Sequence, residues 1–191
     1  NLGGGAPAAW AISRLRFRGR SMVRGLYIVL MLLPFQVTMV PSYLVLRQFG
    51  LLDTPWAIIL PGICSTFPVF IMERGFDTIP REVLESASID GANQWQRFWR
   101  IGIPLGIPGL ISALTLGFLD AWNAIEQPMT FLESPQYWPL SLFFTDPANL
   151  DTKQLGLAMA ASLWMLLPSI LVFRFGQTYL EAGLTKGAVK G

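Results

Sequence analysis

PREVLESASIDGANQWQRFWRIGIPLGIP, running from Pro80 to Pro108, is the only charged interior segment flanked on both sides by apolar runs long enough to cross a bilayer. Pro80 suits the first turn of a helix, Glu82 and Glu85 lie near its positive amino end, and Asp90-Gly91 stops it. Val83, Leu84 and Ala87 give it a narrow apolar face. A helix this short is marginal in water, so it must lean on its own protein or be gripped by a soluble partner. Beyond the turn, Asn93 is placed to cap a second short helix carrying Trp95, Phe98 and Trp99. Those aromatics suit the headgroup zone, with Arg97 and Arg100 keeping their charged ends in water before the chain enters the membrane at Ile101.

Composition agrees with a membrane setting. Of 191 residues, 52% are hydrophobic and 14% charged, against roughly a quarter charged in soluble domains. Four nearly charge-free segments approach the roughly 20 residues that span hydrocarbon as helix: residues 25–46, 55–72, 101–119 and 155–173. The fold expected is an all-α, polytopic transmembrane bundle. Residues 1–24 read as the remnant of a preceding helix and a basic loop, since apolar Ala6 to Ser13 is too short to span. Residues 25–182 read as the membrane domain, with the loop at 74–100, and residues 183–191 as a tail. The amino end, Asn1 followed by Gly3-Gly4-Gly5, does not read as a cleaved signal peptide. Without an initial Met, it reads as a truncated or processed chain.

Short cytoplasmic loops collect Lys and Arg, and this sets the expected orientation. With the Arg14 to Arg24 cluster inside, four crossings also put Arg74, Arg81, Arg97, Arg100, Arg174, Lys186 and Lys190 inside. Only Arg47 and Lys153 of the 14 basic residues are then outside. The cations are spread along one membrane face, so the mild net charge of +2 gives no reason to expect nucleic acid.

Pro34, Pro41, Pro61, Pro68, Pro104, Pro108 and Pro168 punctuate the spans. Each removes a backbone donor and favours a bend, although proline is also commoner in membrane helices generally. Gly102, Gly106, Gly109 and Ser112, and then Gly156, Ala158, Ala160, Ala161 and Ser162, form stripes that allow close helix approach. Cys64 is the single cysteine, so no intrachain disulfide exists and a packing role is expected. There is no GxxxxGK[ST] phosphate loop and no histidine. No bound nucleotide, cofactor or metal is expected, and the chain does not read as an enzyme.

Asp120 and Glu126 follow the third span. Ionisable groups at membrane depth are functional candidates, but both fall at the outer interface, where a carboxylate is solvated, and the structural role is favoured. The segment from Asp120 to Lys153 is long for a connection and rich in aromatics. Trp138 and Phe144 in it suit an interfacial belt, the face of a sugar ring or a docked binding protein.

Glu85-Ser86-Ala87-Ser88-Ile89-Asp90-Gly91-Ala92, followed by Phe98, Ile101, Pro104 and Pro108, resembles the EAA loop of permease subunits of binding-protein-dependent ABC importers. Leu155-Gly156, Met159-Ala160-Ala161, Leu167-Pro168 and the ending from Gly183 to Gly191 resemble the last span and tail of the carbohydrate branch, the maltose and glycerol-phosphate type. Trp122-Asn123 is similar to that branch too. The resemblance runs from the Arg14-Leu15-Arg16-Phe17-Arg18-Gly19 step onward. Ser86 departs from it, standing where the second alanine is usual, and so does the lack of one or two amino-terminal spans.

The resemblance implies a type I importer permease, amino-terminally truncated, in the inner membrane of a prokaryote. Its implied partners are a second permease, a pair of ATP-binding cassette subunits, an extracytoplasmic solute-binding protein and lipid. It implies ATPase coupling through Glu85, Ser86, Ala87, Asp90, Gly91 and Ala92, and tail contact with the ATPase through Thr185, Lys186 and Lys190. Asp120, Trp122, Asn123, Trp138 and Phe144 are the candidates for solute or binding-protein contact. The function expected is ATP-driven import of a sugar or related small polar solute by alternating access. An ion-coupled secondary transporter or channel using Asp120 or Glu126, and a non-transporting scaffold that recruits a partner through the loop, remain as alternatives.

Overall fold

A computed structural model describes residues 2–63, 65–143 and 155–188. Among them there are helices and turns but no strand. The helices are α1 (Leu2–Arg14), α2 (Arg20–Leu32), α3 (Phe35–Gln48), α4 (Trp56–Ile63), α5 (Thr66–Asp77), α6 (Arg81–Ile89) and α7 (Gln94–Arg97). A π-helical turn at Phe98–Gly102 leads into α8 (Ile103–Trp122). Then follow α9 (Glu126–Phe131), a 3-10 turn at Pro135–Tyr137, α10 (Leu140–Phe143) and α11 (Leu155–Ala188). By length and composition, Trp56–Asp77 and Gln94–Trp122 can each cross a membrane, and α2 with α3 makes a third if the pair is one broken span.

Several boundaries differ from those expected. The first span is two helices, because Pro34, extended at ψ 150°, begins α3 afresh. The second runs past Met72 to Asp77, since Glu73 is buried against Arg24 instead of opening a loop. The third does not begin at Ile101. Helix is continuous from Gln94 to Trp122, and its wide turn has a local cause: Pro104 offers no N–H to the carbonyl four residues back. The ladder widens there, with the Ile103 N–H donating to the Phe98 carbonyl five residues back. Finally, α11 has 34 residues, well past the roughly 20 that span hydrocarbon. The expected separate tail therefore begins as helix.

The chain forms two compact units. The first comprises Asn1–Leu32, Cys64–Gly117 and Phe175–Gly191. In it α1 lies along α5, and Trp10, Phe76 and Phe98 meet with ring centroids 5.3 to 6.3 Å apart. Phe76 and Ala9 are wholly buried. Phe98 is buried too, which corrects its expected place among headgroup aromatics, whereas Trp95 and Trp99 are exposed. The first small-residue stripe makes this packing possible. Gly102 meets the Trp10 ring, Gly106 meets Phe76, and Gly109 crosses Gly75 backbone to backbone. Ser112 donates to the Pro108 and Tyr179 carbonyls, tying α11 to α8. The second stripe behaves otherwise: Gly156 faces open space and Ala160 is exposed.

The second unit comprises Leu33–Ile63 and Phe118–Arg174. Its core gathers Leu46, Ala57, Phe131 and Leu132, with Tyr43 and Trp138 packed against them. Cys64 lies outside the described residues.

A β-carbon on Gly75 would stand 2.6 Å from the Gly109 Cα, so Gly75→Ala must push α5 off α8. Overpacking of this kind costs about 1–3 kcal/mol. Thermal unfolding in detergent should show a lower midpoint for Gly75→Ala, whereas Gly25→Ala, with open space around it, should leave the midpoint level or raised.

Candidate functional site: the loop helix and the segment after α8

The charged loop folds as two short helices around a glycine turn. Pro80, extended at ψ 142°, precedes α6, and Glu82 lies in the first turn. The helix ends in a Schellman arrangement. The Ala92 N–H donates to the Ala87 carbonyl at 2.9 Å and the Gly91 N–H to Ser88 at 3.1 Å. Gly91 takes φ +82°, a left-handed conformation that costs an L side chain roughly 1–2 kcal/mol. Ala87, Gly91 and Ala92 thus close the helix end, and the backbone, not the Asp90 carboxylate, makes the reversal. Asn93 caps α7 with a reciprocal box: its side chain accepts from the Gln96 N–H at 2.8 Å, and Gln96 accepts from the Asn93 N–H at 2.9 Å. Across the turn, Arg97 donates to the Ser88 hydroxyl at 2.5 Å.

One face of α6 is supported and the other is bare. Leu84 packs on the first unit's core, and Ala87 and Ala92 are half-buried. Val83, expected on the supported face, is exposed, as are Glu85, Ser86 and Asp90. Ser86 closes its hydroxyl onto the Glu82 and Val83 carbonyls, so the departure from alanine adds no free polar group. Ile89, which sequence reasoning passed over, is 86% exposed. Its position just before a chain-reversing Asp-Gly was the available signal.

The loop is anchored where α5 ends. Arg14 donates to the Phe76 carbonyl and, at 2.6 Å, to that of Ile79. Arg24 pairs with Glu73 at 2.5 Å and with Asp77 at 2.7 Å, and Ser13 donates to Asp77 at 2.6 Å. Neither carboxylate stood out in the sequence, because its partners are 49 residues or more away.

Among the described residues, each of the candidates for solute or binding-protein contact has its own neighbours. Asp120 is exposed at the end of α8. Trp122 stacks on Phe118 at 5.5 Å and donates its indole N–H to the Met165 carbonyl. Asn123 donates back to Leu119. Glu126 accepts from Gln36 at 2.8 Å. Trp138 packs on the second unit's core. Phe144 and Lys190 lie outside the described residues, and Thr185 and Lys186 fall within α11. The described residues hold no His, Cys, Asp or Glu cluster suited to a metal.

Asp53 ties down the turn at Glu133 and Ser134. It sits at φ +55° and its carboxylate accepts from the Glu133 and Ser134 amides at 2.9 and 2.7 Å and from the Ser134 hydroxyl at 2.5 Å. The Ser134 hydroxyl, then its amide, hold the Asp53 carboxyl below its ordinary range. A carboxyl depressed by folding contributes stability that is complete above its unfolded pKa, near ~4, and is lost as pH falls through the lower folded value. Thermal midpoints should therefore decline on acidification below about pH 4, and Asp53→Ala should lower the neutral midpoint while flattening that decline.

The sequence profile described as "Binding-protein-dependent transport system inner membrane component" matches residues 2–186. The inner membrane ABC transporter permease protein YcjP of Escherichia coli K12 is 34% identical over 98% of this chain and 68% of its own length. The diacetylchitobiose uptake system permease protein DasC of Streptomyces coelicolor is 32% identical over 96% of this chain and 67% of its own. A crystal structure of a bacterial ABC transporter involved in import of the acidic polysaccharide alginate matches 97% of this chain and 67% of its own, at TM-score 0.68 and 25% identity. The chain spans about two thirds of the length of the curated relatives it matches, as with YcjP at 68% and DasC at 67%.

Proposed function

Because this chain belongs to the family of binding-protein-dependent transport system inner membrane components and has the fold of an ABC importer permease, we propose that it lines half of a translocation pathway driven by a partner ATPase. The single observation that carries this reading is the bare face of α6. A short helix supported through Leu84 and ended by a glycine turn holds Glu85, Ser86 and an isoleucine, Ile89, out in water. Exposed apolar surface on so small a polar element suits a partner's groove. Glu85, Ser86, Ala87, Asp90, Gly91 and Ala92 make up the docking segment in this reading, with Ile89 its apolar anchor. Thr185, Lys186 and Lys190 approach the same ATPase.

The orientation that follows places the loop and the carboxyl end in the cytoplasm of a prokaryote, with the basic residues on the inner side. A second permease completes the pathway and an extracytoplasmic binding protein delivers the solute. The relatives' names, which include arabinooligosaccharides, trehalose and diacetylchitobiose, favour a sugar or sugar derivative. The carboxylates of the ion-coupled alternative fit structural roles: Asp120 is solvent-facing and Glu126 is held by Gln36.

Deleting Glu85 to Ala92, or Gly91→Trp, is expected to abolish uptake by the reconstituted complex while the ATPase subunits still hydrolyse ATP. Uptake driven by an ion gradient and indifferent to the deletion would favour the secondary transporter. Retained recruitment with no flux in the unaltered complex would favour the scaffold.

A further inference from the structure

We propose that Arg24 and Glu73 are positioning residues for coupling: their ion pair, with the Glu73 carboxylate buried, locks α2 to the carboxyl end of α5, so that a displacement of α6 is carried into the bundle. The inference rests on reading α6 as the ATPase-docking helix. Two helices converge on the carboxyl end of α5. From α2, Arg24 reaches Glu73 at 2.5 Å and Asp77 at 2.7 Å. From α1, Ser13 donates to Asp77 and Arg14 to the Phe76 and Ile79 carbonyls. Cations there are favoured by the helix dipole. Only Thr78, Ile79 and Pro80 separate α5 from α6, and they carry no slack. The Thr78 and Ile79 amides donate back to Gly75 and Phe76, Ile79 is buried, and Pro80 has a fixed φ.

Glu73 is 3% exposed while Arg24 keeps a third of its surface in solvent. A carboxylate taken so far out of water is a poor means of gaining stability, because an apolar pair of similar volume commonly does as well or better. What the pair adds is register: the close charge contact favours the alignment of α2 on α5 that brings Arg24 to Glu73, where the apolar contacts of Val23 and Tyr27 tolerate sliding.

The test uses the whole transporter, with full-length permeases and ATPase in proteoliposomes, and reads assembly, ATP hydrolysis and uptake of the solute held by its binding protein. Arg24→Gln and Glu73→Gln are expected to raise the ATP hydrolysed per solute carried by about tenfold, within the usual span of coupling effects. The exchange Arg24→Glu with Glu73→Arg restores the pair, with Asp77 still facing the new arginine, and should bring the ratio back to within about threefold of the original. Should the single variants not assemble, the double variant Arg24→Met with Glu73→Gln leaves no buried charge, since Asp77 is a third exposed and keeps the Ser13 hydroxyl, and it retains Val23 and Tyr27. It is expected to assemble and to uncouple. An unchanged ratio in every variant that assembles, with uptake falling only in step with the amount of complex, would overturn the inference. An unaltered complex that hydrolyses ATP without uptake would instead overturn the functional reading on which it rests.

Discussion

Phe76 occupies the point on which the first unit turns. It is wholly buried, with Trp10 of α1 set edge-on at 5.3 Å and Phe98 of the π-helical turn at 6.3 Å. That position exists because Gly106 presents no side chain to its ring and Gly75 lets α5 press against Gly109. Truncating such a residue costs about 3–5 kcal/mol in soluble cores. In a membrane, where lipid is as apolar as leucine, this close fit is what holds helices together. The loop that follows inherits its placement from the contact. Phe98 fixes its exit, and Arg14, on the Phe76 carbonyl, fixes its entrance.

A rigid mount at both ends explains why so short an element as α6 stays folded. Its nine residues are too few for independent stability, yet the Schellman closure at Gly91 and the Asn93 box leave few loose backbone groups, and the Arg97–Ser88 side-chain bond ties α7 back to α6. Stiffness and exposure together are what a force-receiving handle requires. The polar knot of Arg24, Glu73 and Asp77 adds a lateral connection to α2, beside the apolar contacts of Val23 and Tyr27.

Local chemistry was legible in the sequence wherever a few neighbouring residues decide it. Pro80, Asp90-Gly91 and Asn93 marked the bounds of the loop helices, and the glycine stripe of α8 marked a packing face. Long-range chemistry was not. Arg24 and Glu73 are 49 residues apart, Asp53 and Ser134 are 81 apart, and nothing in either neighbourhood signals the other. Phe98 shared its pattern with Trp95 and Trp99, so only the tertiary contact with Trp10 separates the buried ring from the exposed ones. Trp122 and Asn123 carried the right chemistry for a solute, and nothing near them in the sequence signalled that the Trp122 indole N–H would donate to Met165 and the Asn123 amide nitrogen to Leu119.

The central claim is that the bare face of α6 lies on the inner side of the bilayer under the ATPase. It is tested most directly by placing a cysteine at Ile89 in a Cys64→Ala background and labelling with a membrane-impermeant maleimide. The account predicts labelling in inverted vesicles stripped of the ATPase, none in right-side-out vesicles, and protection once the ATPase is bound. Labelling from the outer face, or labelling from the inner face that the bound ATPase leaves unchanged, would contradict it.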